Sequence, residues 1–214
     1  MGNFKATLGA SVAAAAVTAI MASTPAAANT VFGSDWTVPT SVAMNAISSN
    51  VPSRTPDMTF TAPTPLDFNS NTLSNGYTPG GFVATAGGTV LTGTPAYLAS
   101  SLDSNLFEFT GTVTVTTGQK FKAGHDDGLT LTIGGTTVIS APGATAFMLT
   151  TDTYTGPSGN FPFQLVYGEC CGPPAILQID LPFTSVVPEP ASLALLGTAL
   201  AGIGAVIRRR RKTG

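Results

Sequence analysis

The sequence FEFTGTVTVT, from Phe107 to Thr116, alternates apolar or glycine positions with polar ones for ten residues. This period of two is typical of a β-strand that buries one face, because successive side chains point to opposite sides of a sheet. The same alternation returns in Leu129–Ile133, Phe161–Tyr167 and Ala175–Leu181. No ten-residue helical pattern lies among these segments, so the sequence predicts an all-β fold.

Turn signals separate the predicted strands. Gly134-Gly135 stands between Leu129–Ile133 and the next apolar run, and two glycines in that place are typical of a tight hairpin. Many short, Thr-rich strands broken by Gly and Pro favour an antiparallel β-sandwich, which we place at residues 82–186. Residues 29–81 are rich in X-Pro steps, which disfavour helix. We expect that part of the domain to consist of loops and short edge strands laid over a sheet.

Residues 187–214 have three successive parts. Val187, Pro188, Glu189 and Pro190 come first, and the uncharged residues 191–207 follow. The last part is a basic block made of Arg208, Arg209, Arg210, Arg211 and Lys212. At ~1.5 Å per residue, residues 191–207 form a helix of roughly 25 Å, at the short end of what spans a bilayer. The basic block stays cytoplasmic and places the preceding domain outside.

This order of parts resembles the PEP-CTERM sorting signal of Gram-negative bacteria. In that family a Pro-Glu-Pro motif, a short transmembrane helix and an Arg-rich tail are recognised and cleaved by an exosortase. The resemblance covers Val187 to Lys212 and implies a transient membrane anchor followed by delivery to the cell surface or extracellular matrix. The alternative is an ordinary C-terminal anchor with an incidental Pro-Glu-Pro.

The N-terminus predicts export as well. Met1–Lys5 carries one positive charge, Ala6–Ser23 is apolar, and Pro25-Ala26-Ala27-Ala28 offers the small residues that signal peptidase needs. We interpret residues 1–28 as a cleaved signal peptide, with an uncleaved N-terminal anchor as the alternative. The exported part then holds ten acidic and three basic residues, a net charge of −7. Such a domain is a poor candidate for nucleic-acid binding, but it has carboxylates to spare for a divalent cation.

The sequence Gly124-His125-Asp126-Asp127-Gly128 joins two predicted strands. Adjacent carboxylates repel, and a hard cation such as Ca²⁺ relieves that repulsion. Ca²⁺ takes ~6–8 oxygen ligands, so Asp126 and Asp127 supply only part of a site. Two interpretations stay open: a calcium site, or a plain hairpin turn at Asp127-Gly128 with Asp126 solvated beside it.

Residues 82–181 also resemble the protective-antigen-type β-sandwich domain of adhesins and flocculins. The resemblance rests on a strand that enters Asp126-Asp127-Gly128 and an alternating strand that follows. It implies a domain that binds a sugar through Ca²⁺ held by the paired aspartates. For the second calcium-binding loop of those lectins, Asp152 and Asn160 are the candidates in this sequence.

Cys170 and Cys171 are the only cysteines, and they are adjacent. Because export places them in an oxidising compartment, a vicinal disulfide, two intermolecular bridges or free thiols compete, and the following Gly172-Pro173 turn favours the vicinal disulfide. A redox function is not expected without a Cys-x-x-Cys spacing.

The chain offers little for catalysis. His125 is the sole histidine, without a nucleophile signature near it, and we expect it at the surface beside a turn. Glu108 and Glu169 are the only glutamates of the exported part, and we expect one on a strand surface and the other in a loop. The sequence therefore predicts no enzyme.

The sequence is consistent with three functions. The first is an exported surface or matrix protein whose sandwich binds exopolysaccharide or another glycan, with Ca²⁺. The second is a purely structural matrix or biofilm component without a ligand site, and the third is a glycan-acting hydrolase.

Overall fold

Two antiparallel β-sheets packed face to face make up residues 29–182, the part of the chain that the computed structural model describes. The expected signal peptide at 1–28 lies outside the described residues, as do the sorting motif, the anchor helix and the basic tail at 187–214. None of the helices within 29–182 has the length and apolar composition needed to cross a bilayer. The predicted antiparallel β-sandwich is confirmed.

The larger sheet has seven strands in the spatial order β4-β2-β1-β5-β10-β7-β8. Its strands are β1 (Thr30–Thr37), β2 (Met58–Pro63), β4 (Thr89–Gly93), β5 (Ser104–Val115), β7 (Leu129–Ile133), β8 (Thr136–Ala141) and β10 (Gly159–Cys170). The two longest strands, β5 and β10, pair along their whole length, from Val115 opposite Gly159 to Ser104 opposite Cys170. They form the centre of the sheet.

The smaller sheet has four strands in the order β3-β11-β6-β9. They are β3 (Leu66–Asn69), β6 (Lys120–His125), β9 (Met148–Thr153) and β11 (Ile176–Ile179). Three short helices connect strands: α1 (Thr40–Ala43), α2 (Pro79–Thr85) and α3 (Pro95–Leu98). Of these only α2 reaches seven residues, and Thr78 caps it by accepting a hydrogen bond from the Gly81 N–H.

The alternation in β5 decides which face is buried. Phe107 and Phe109 point between the sheets and are fully buried, whereas Glu108 between them points outward and is partly exposed. Their rings join Phe60, Phe68 and Phe82 in one aromatic cluster, with centroids 4.9–6.4 Å apart. Burial of these large rings is the main stabilising contribution to the sandwich.

The predicted hairpin at Gly134-Gly135 is confirmed. The strands β7 and β8 pair directly across it, and both glycines have positive φ, as a tight hairpin of this hand requires. The N-terminal part needs correction. Strand β1 lies between β2 and β5 in the interior of the larger sheet, so it is not an edge strand, and the sandwich begins at Thr30 and not near Phe82. Residues 29–81 are integral to the sandwich and do not lie over it.

Candidate functional site

The segment Asp126–Gly128 crosses from one sheet to the other. It leaves β6 of the smaller sheet at His125 and enters β7 of the larger sheet at Leu129. Because β6 and β7 do not pair, the hairpin-turn interpretation of Asp127-Gly128 is wrong. Asp127 adopts φ +64°, and a side chain on Gly128 would meet the carbonyl oxygen of Pro142 at 2.1 Å, so only glycine fits there.

Both aspartates of this crossing are buried. Asp126 is 7% exposed and Asp127 is 4% exposed, so the expectation of a solvated Asp126 is also wrong. The Asp126 N–H donates to the carbonyl oxygen of Ile176 at 2.9 Å, which ties the crossing to the start of β11. Both aspartates therefore lie where the two sheets are bridged.

The Asp127 carboxylate joins two further segments of the chain. Its Oδ2 accepts a hydrogen bond from the Cys170 N–H at 2.8 Å, and its Oδ1 accepts one from the Thr145 N–H at 3.2 Å. The Asp127 N–H in turn donates to the carbonyl oxygen of Thr145 at 2.8 Å. One carboxylate thus fixes the end of β10 and the loop between β8 and β9 against the crossing.

Cys170 and Cys171 form a vicinal disulfide at the end of β10. Cys170 is buried under the crossing and Cys171 is exposed, with φ +70° at Cys171 and +103° at Gly172. The two sulfurs and a carboxylate oxygen of Asp127 lie within 4.8 Å of one another. Since both sulfurs are bonded to each other, neither is a thiolate, and the group suits oxygen-seeking cations better than thiolate-seeking ones.

An open cavity of about 310 Å³ lies over the paired aspartates. Three segments line it: the crossing itself, the loop residues 144–146 and the disulfide loop 170–174. The sequence reading singled out the first and the third of these from their carboxylates and cysteines. It missed Thr145, because the loop has no acidic residue and its role depends on a backbone N–H that no residue type reveals.

His125 is fully buried and not at the surface, so that expectation is wrong. Its Nδ1 lies 2.6 Å from the Asp127 carbonyl oxygen, and its Nε2 lies 2.8 Å from Thr150 Oγ1. A carbonyl can only accept, so Nδ1 carries a hydrogen and donates it to the Asp127 carbonyl, while Nε2 is hydrogen-bonded to the threonine hydroxyl. The imidazole buttresses the crossing from within the smaller sheet.

Burial raises the pKa of both aspartates above the usual range. For Asp126 the neighbouring Asp127 charge adds to this effect, and a hydrogen bond from the Phe147 N–H opposes it. For Asp127 the hydrogen bonds from the Cys170 and Thr145 N–H groups oppose it. The ionised form is thus costly here, and a cation bound between the carboxylates would lower that cost.

A second group of acids is closed inside the domain. Glu169 is fully buried on β10, and not in a loop as expected from the sequence. Tyr167 donates to its Oε2 at 2.5 Å, and the Tyr77 hydroxyl lies 3.0 Å from its Oε1. Burial raises the pKa of Glu169 to about 9, so this carboxyl group is neutral at physiological pH.

A fourth buried acid, Asp35, is linked to Glu169 through Asn105. It accepts hydrogen bonds from the Tyr97 hydroxyl at 2.8 Å and from Asn105 Nδ2 at 3.0 Å, and burial raises its pKa to about 7. Asn105 stands opposite Glu169 in the pairing of β5 with β10. The sequence reading missed these partners because they are up to 92 residues apart along the chain.

The two glutamates do not form a hydrolytic pair. Glu169 points between the sheets, whereas Glu108 points outward from β5 and accepts a hydrogen bond from Gln164 Nε2 at 2.5 Å. Glycoside hydrolysis with two carboxyl groups needs both of them on one substrate cavity. Asp152 is exposed on β9 and lies opposite Phe121, and Asn160 is exposed opposite Thr114, so neither residue lines the cavity over the aspartates.

Residues 186–211 match the family model described as "PEP-CTERM protein-sorting motif". The C-terminal segment is a PEP-CTERM motif. The match contains the Pro-Glu-Pro element, the uncharged run and the four arginines of the basic block, and it ends one residue before Lys212. No curated protein matches the sequence of the chain.

Solved structures with a similar fold include two PA14 domains, the protective-antigen type. A "PA14 sugar-binding domain from RTX adhesin" is 19% identical with a TM-score of 0.48, covering 72% of this chain and 88% of its own. The "PA14 domain of MpAFP Antifreeze protein" is 17% identical with a TM-score of 0.49, covering 80% and 90%. An "anti-sigma factor domain-containing protein" is 15% identical with a TM-score of 0.40, covering 74% and 43%. Similarity at this level transfers no ligand to this chain.

Proposed function

We propose that this is an exported, non-catalytic surface or matrix protein whose sandwich binds a glycan through Ca²⁺ held by Asp126 and Asp127. The observation that carries the proposal is a pair of adjacent buried carboxylates under an open cavity. Within residues 29–182 the only ion pair joins Arg54 to Asp57, so no lysine or arginine of this part of the chain forms an ion pair with Asp126 or Asp127. A diffusible cation fits that deficit.

The donor set supports a hard, oxygen-seeking cation. Each Asp127 oxygen accepts one backbone N–H and keeps a lone pair, and Asp126 adds a second carboxylate. Two carboxylates fall short of the ~6–8 oxygens that Ca²⁺ takes, so backbone carbonyls, water and ligand hydroxyls must complete the shell. Bound Ca²⁺ would supply a Lewis acid to which vicinal sugar hydroxyls coordinate. The role of this chain is to hold the two carboxylates and to shape the cavity walls.

The PEP-CTERM motif supports the destination of the protein. We infer that signal peptidase cleaves after residue 28 and that exosortase cleaves at the motif beginning with Val187. In between, the chain is held in the inner membrane of a Gram-negative bacterium by residues 191–207. After processing, the domain would reach the cell surface or the extracellular polysaccharide, where glycans are available to a glycan-binding site.

Glycan binding that depends on calcium tests the proposal. The labelled protein is applied to an array of bacterial and plant glycans in calcium and again in chelator. We expect binding in calcium only, and we expect Asp127→Asn to lose it. Asp152→Asn is the matched control, since it removes an exposed carboxylate of the same domain outside the cavity. Binding that survives chelator or Asp127→Asn contradicts the assignment of the site.

A structural role without ligand is the second candidate, and one observation favours it. The Asp127 carboxylate already clamps the β8–β9 loop and the end of β10 through two N–H groups. A carboxylate with that task needs no cation. In that case Asp127→Asn lowers the stability of the domain equally in calcium and in chelator, and the array stays blank in both.

A further inference from the structure

A second cavity lies on the outer face of the smaller sheet. It also measures about 310 Å³, and it is open to solvent. Its lining includes Asp67 of β3, Gln178 of β11, Gly124 of β6, Leu149 of β9, and the charged groups of Lys122 and Asp180. It therefore runs across all four strands of that sheet.

The groove exists because a glycine interrupts one row of side chains. In the sheet register Asp67 lies opposite Gln178, Gln178 opposite Gly124, and Gly124 opposite Leu149. A Cβ on Gly124 would come within 3.1 Å of the Phe147 ring and within 3.3 Å of Gln178 Oε1 and of Leu149 Cδ2. All three atoms are the outer ends of side chains, so a larger residue at 124 would push these side chains into the groove without a backbone clash.

The two walls of the groove differ in chemistry. Gln178 Nε2 donates to Asp67 Oδ1 at 2.7 Å, which fixes both side chains on the polar wall. The opposite wall is formed by Leu149, which is 55% exposed, with Phe147 beside it at 47%. A sugar ring has hydroxyls at its edge and apolar C–H groups on its face, so one polar and one apolar wall suit it.

The groove and the cavity over the paired aspartates share no lining residue, but they lie near each other at the end of β6. Gly124 and Asp126 are two residues apart at the end of β6, roughly 7 Å at the rise of a strand. The segment 144–149 borders both cavities, since Thr145 lines the first and Leu149 lines the second. A chain of sugar units can therefore lie in both without leaving the surface.

We propose that the groove is a second subsite and that the glycan is a neutral oligosaccharide of several units, with one unit at the aspartates and the next units over Gly124. This inference rests on the function proposed above. The groove itself holds two acids and one lysine in a domain of net charge −7, so a polyanionic chain is disfavoured.

A length series tests the inference. The probes are glucose, galactose and mannose oligomers of one to six units, titrated in calcium against the full chain. For the sugar that binds, we expect the Kd to fall about tenfold between one and three units, the scale of one extra set of contacts. Gly124→Val should abolish that gain and leave the single-unit Kd within about twofold, because it crowds the groove through the outer ends of side chains and leaves both carboxyl groups in place.

Two lysines on the same face of β6 provide matched variants for this test. Lys122→Ala, in the groove, should reduce the gain with length, and Lys120→Ala, two residues back on the same strand and face, should not. A melting curve of Gly124→Val checks that the domain is folded. A Kd that does not change with length, or a Gly124→Val variant that behaves as wild type, overturns the inference while calcium-dependent binding stands. Preference for uronic-acid oligomers, or a change of oligomeric state in Gly124→Val, also overturns it. If no sugar binds in calcium, the proposed function itself falls.

Discussion

The two acidic clusters of this domain are built from different hydrogen-bond partners. Asp127, at the sheet crossing, accepts from two backbone N–H groups, which can only donate. Glu169, inside the sandwich, meets two tyrosine hydroxyls, which can donate or accept. The N–H groups around Asp127 favour a charged carboxylate and oppose the rise in pKa that burial causes, and they lie under an open cavity. The surroundings of Glu169 are closed and accommodate a neutral acid.

The Tyr77 hydroxyl illustrates the difference between a charged and a neutral carboxyl group. It lies 2.9 Å from Asp103 Oδ1 and 3.0 Å from Glu169 Oε1, yet it has one hydrogen to give. If that hydrogen goes to the partly solvated Asp103, then Glu169 must be the donor in the other contact and is protonated. Burial of an acid is thus not by itself a sign of a cation site. A cation site is indicated where the hydrogen-bond donors stabilise a charged carboxylate and the carboxylate is accessible to an ion from solvent.

The largest effect we expect is an inverted dependence of stability on pH. Glu169 has a pKa of about 9 in the folded state against an ordinary 4.5, and Asp35 has one of about 7 against 3.8. A raised acid keeps its proton in the folded state while the unfolded chain releases it, so this stability is fully present below the ordinary pKa and is lost as pH rises through the folded one. Urea midpoints measured in chelator should therefore fall from pH 5 to pH 9.

The Glu169→Gln variant is the control for that prediction. It should flatten the slope between pH 7 and pH 9, because glutamine does not titrate. Asp57, whose pKa Arg54 lowers, stays ionised throughout this window and adds no slope. A wild-type midpoint that rises from pH 5 to pH 9 would mean that Glu169 is charged in the fold and that the two clusters do not differ as described.

Substitutions at Glu169 itself should show the next largest effect. Glu169→Ala leaves a cavity, leaves the Tyr167 hydroxyl without its partner and removes one of the two partners of Tyr77, and should lower the free energy of unfolding by about 3 kcal/mol. Glu169→Gln should cost less than about 1 kcal/mol, since its amide accepts from Tyr167 and donates to Tyr77 as the protonated acid does. Both are measured by urea unfolding at pH 6. Equal losses in the two variants would contradict a neutral Glu169.

Replacing the vicinal disulfide should have a smaller effect on stability and a selective one on the site. The double variant Cys170→Ser, Cys171→Ser should lower the unfolding free energy in chelator by about 1 kcal/mol, because the closed loop is minimal. Its calcium affinity should fall about tenfold, since the loop presents the Cys170 N–H to Asp127. Calorimetric titration with calcium measures this. An unchanged affinity would show that the loop merely borders the cavity.

Much of the strand pattern could be predicted from the sequence because side-chain alternation is local. The segments Leu129–Ile133 and Phe161–Tyr167 lie in strands, as does Phe107–Thr116 up to Val115, and the glycine pair at 134–135 forms the hairpin. The interior position of β1 could not be predicted. Its sequence TVFGSDWT lacks regular alternation, because Asp35 points inward and is satisfied by residues far along the chain.

The sequence predicted which residues form the candidate site but not how they are arranged. An Asp-Gly step is a turn signal whether the next strand pairs with the last one or crosses to another sheet, and long-range pairing decides between these. The adjacency of Asp126 and Asp127 indicated a cation, but the clamp through Thr145 depends on backbone atoms. Burial of His125 and Glu169 follows from partners in distant strands, so short sequence windows placed His125 at the surface and Glu169 in a loop.

We propose that the acidic cluster under the open cavity, Asp126 and Asp127, holds calcium and that the enclosed cluster around Glu169 does not. The most direct measurement is a thermal melt of the purified protein in calcium and in chelator. It compares wild type, the double variant Asp126→Asn, Asp127→Asn, and the controls Glu169→Gln and Asp152→Asn. A ligand that binds only the folded state at 100 times its Kd adds about 2.7 kcal/mol.

For a domain of this size we expect calcium to raise the wild-type Tm by about 5 to 10 °C. The two controls should keep that rise, and the double aspartate variant should lose it. If the calcium and chelator curves of the wild type coincide, Asp126 and Asp127 only clamp the loops around the crossing, and the calcium-dependent binding proposed for this domain is wrong.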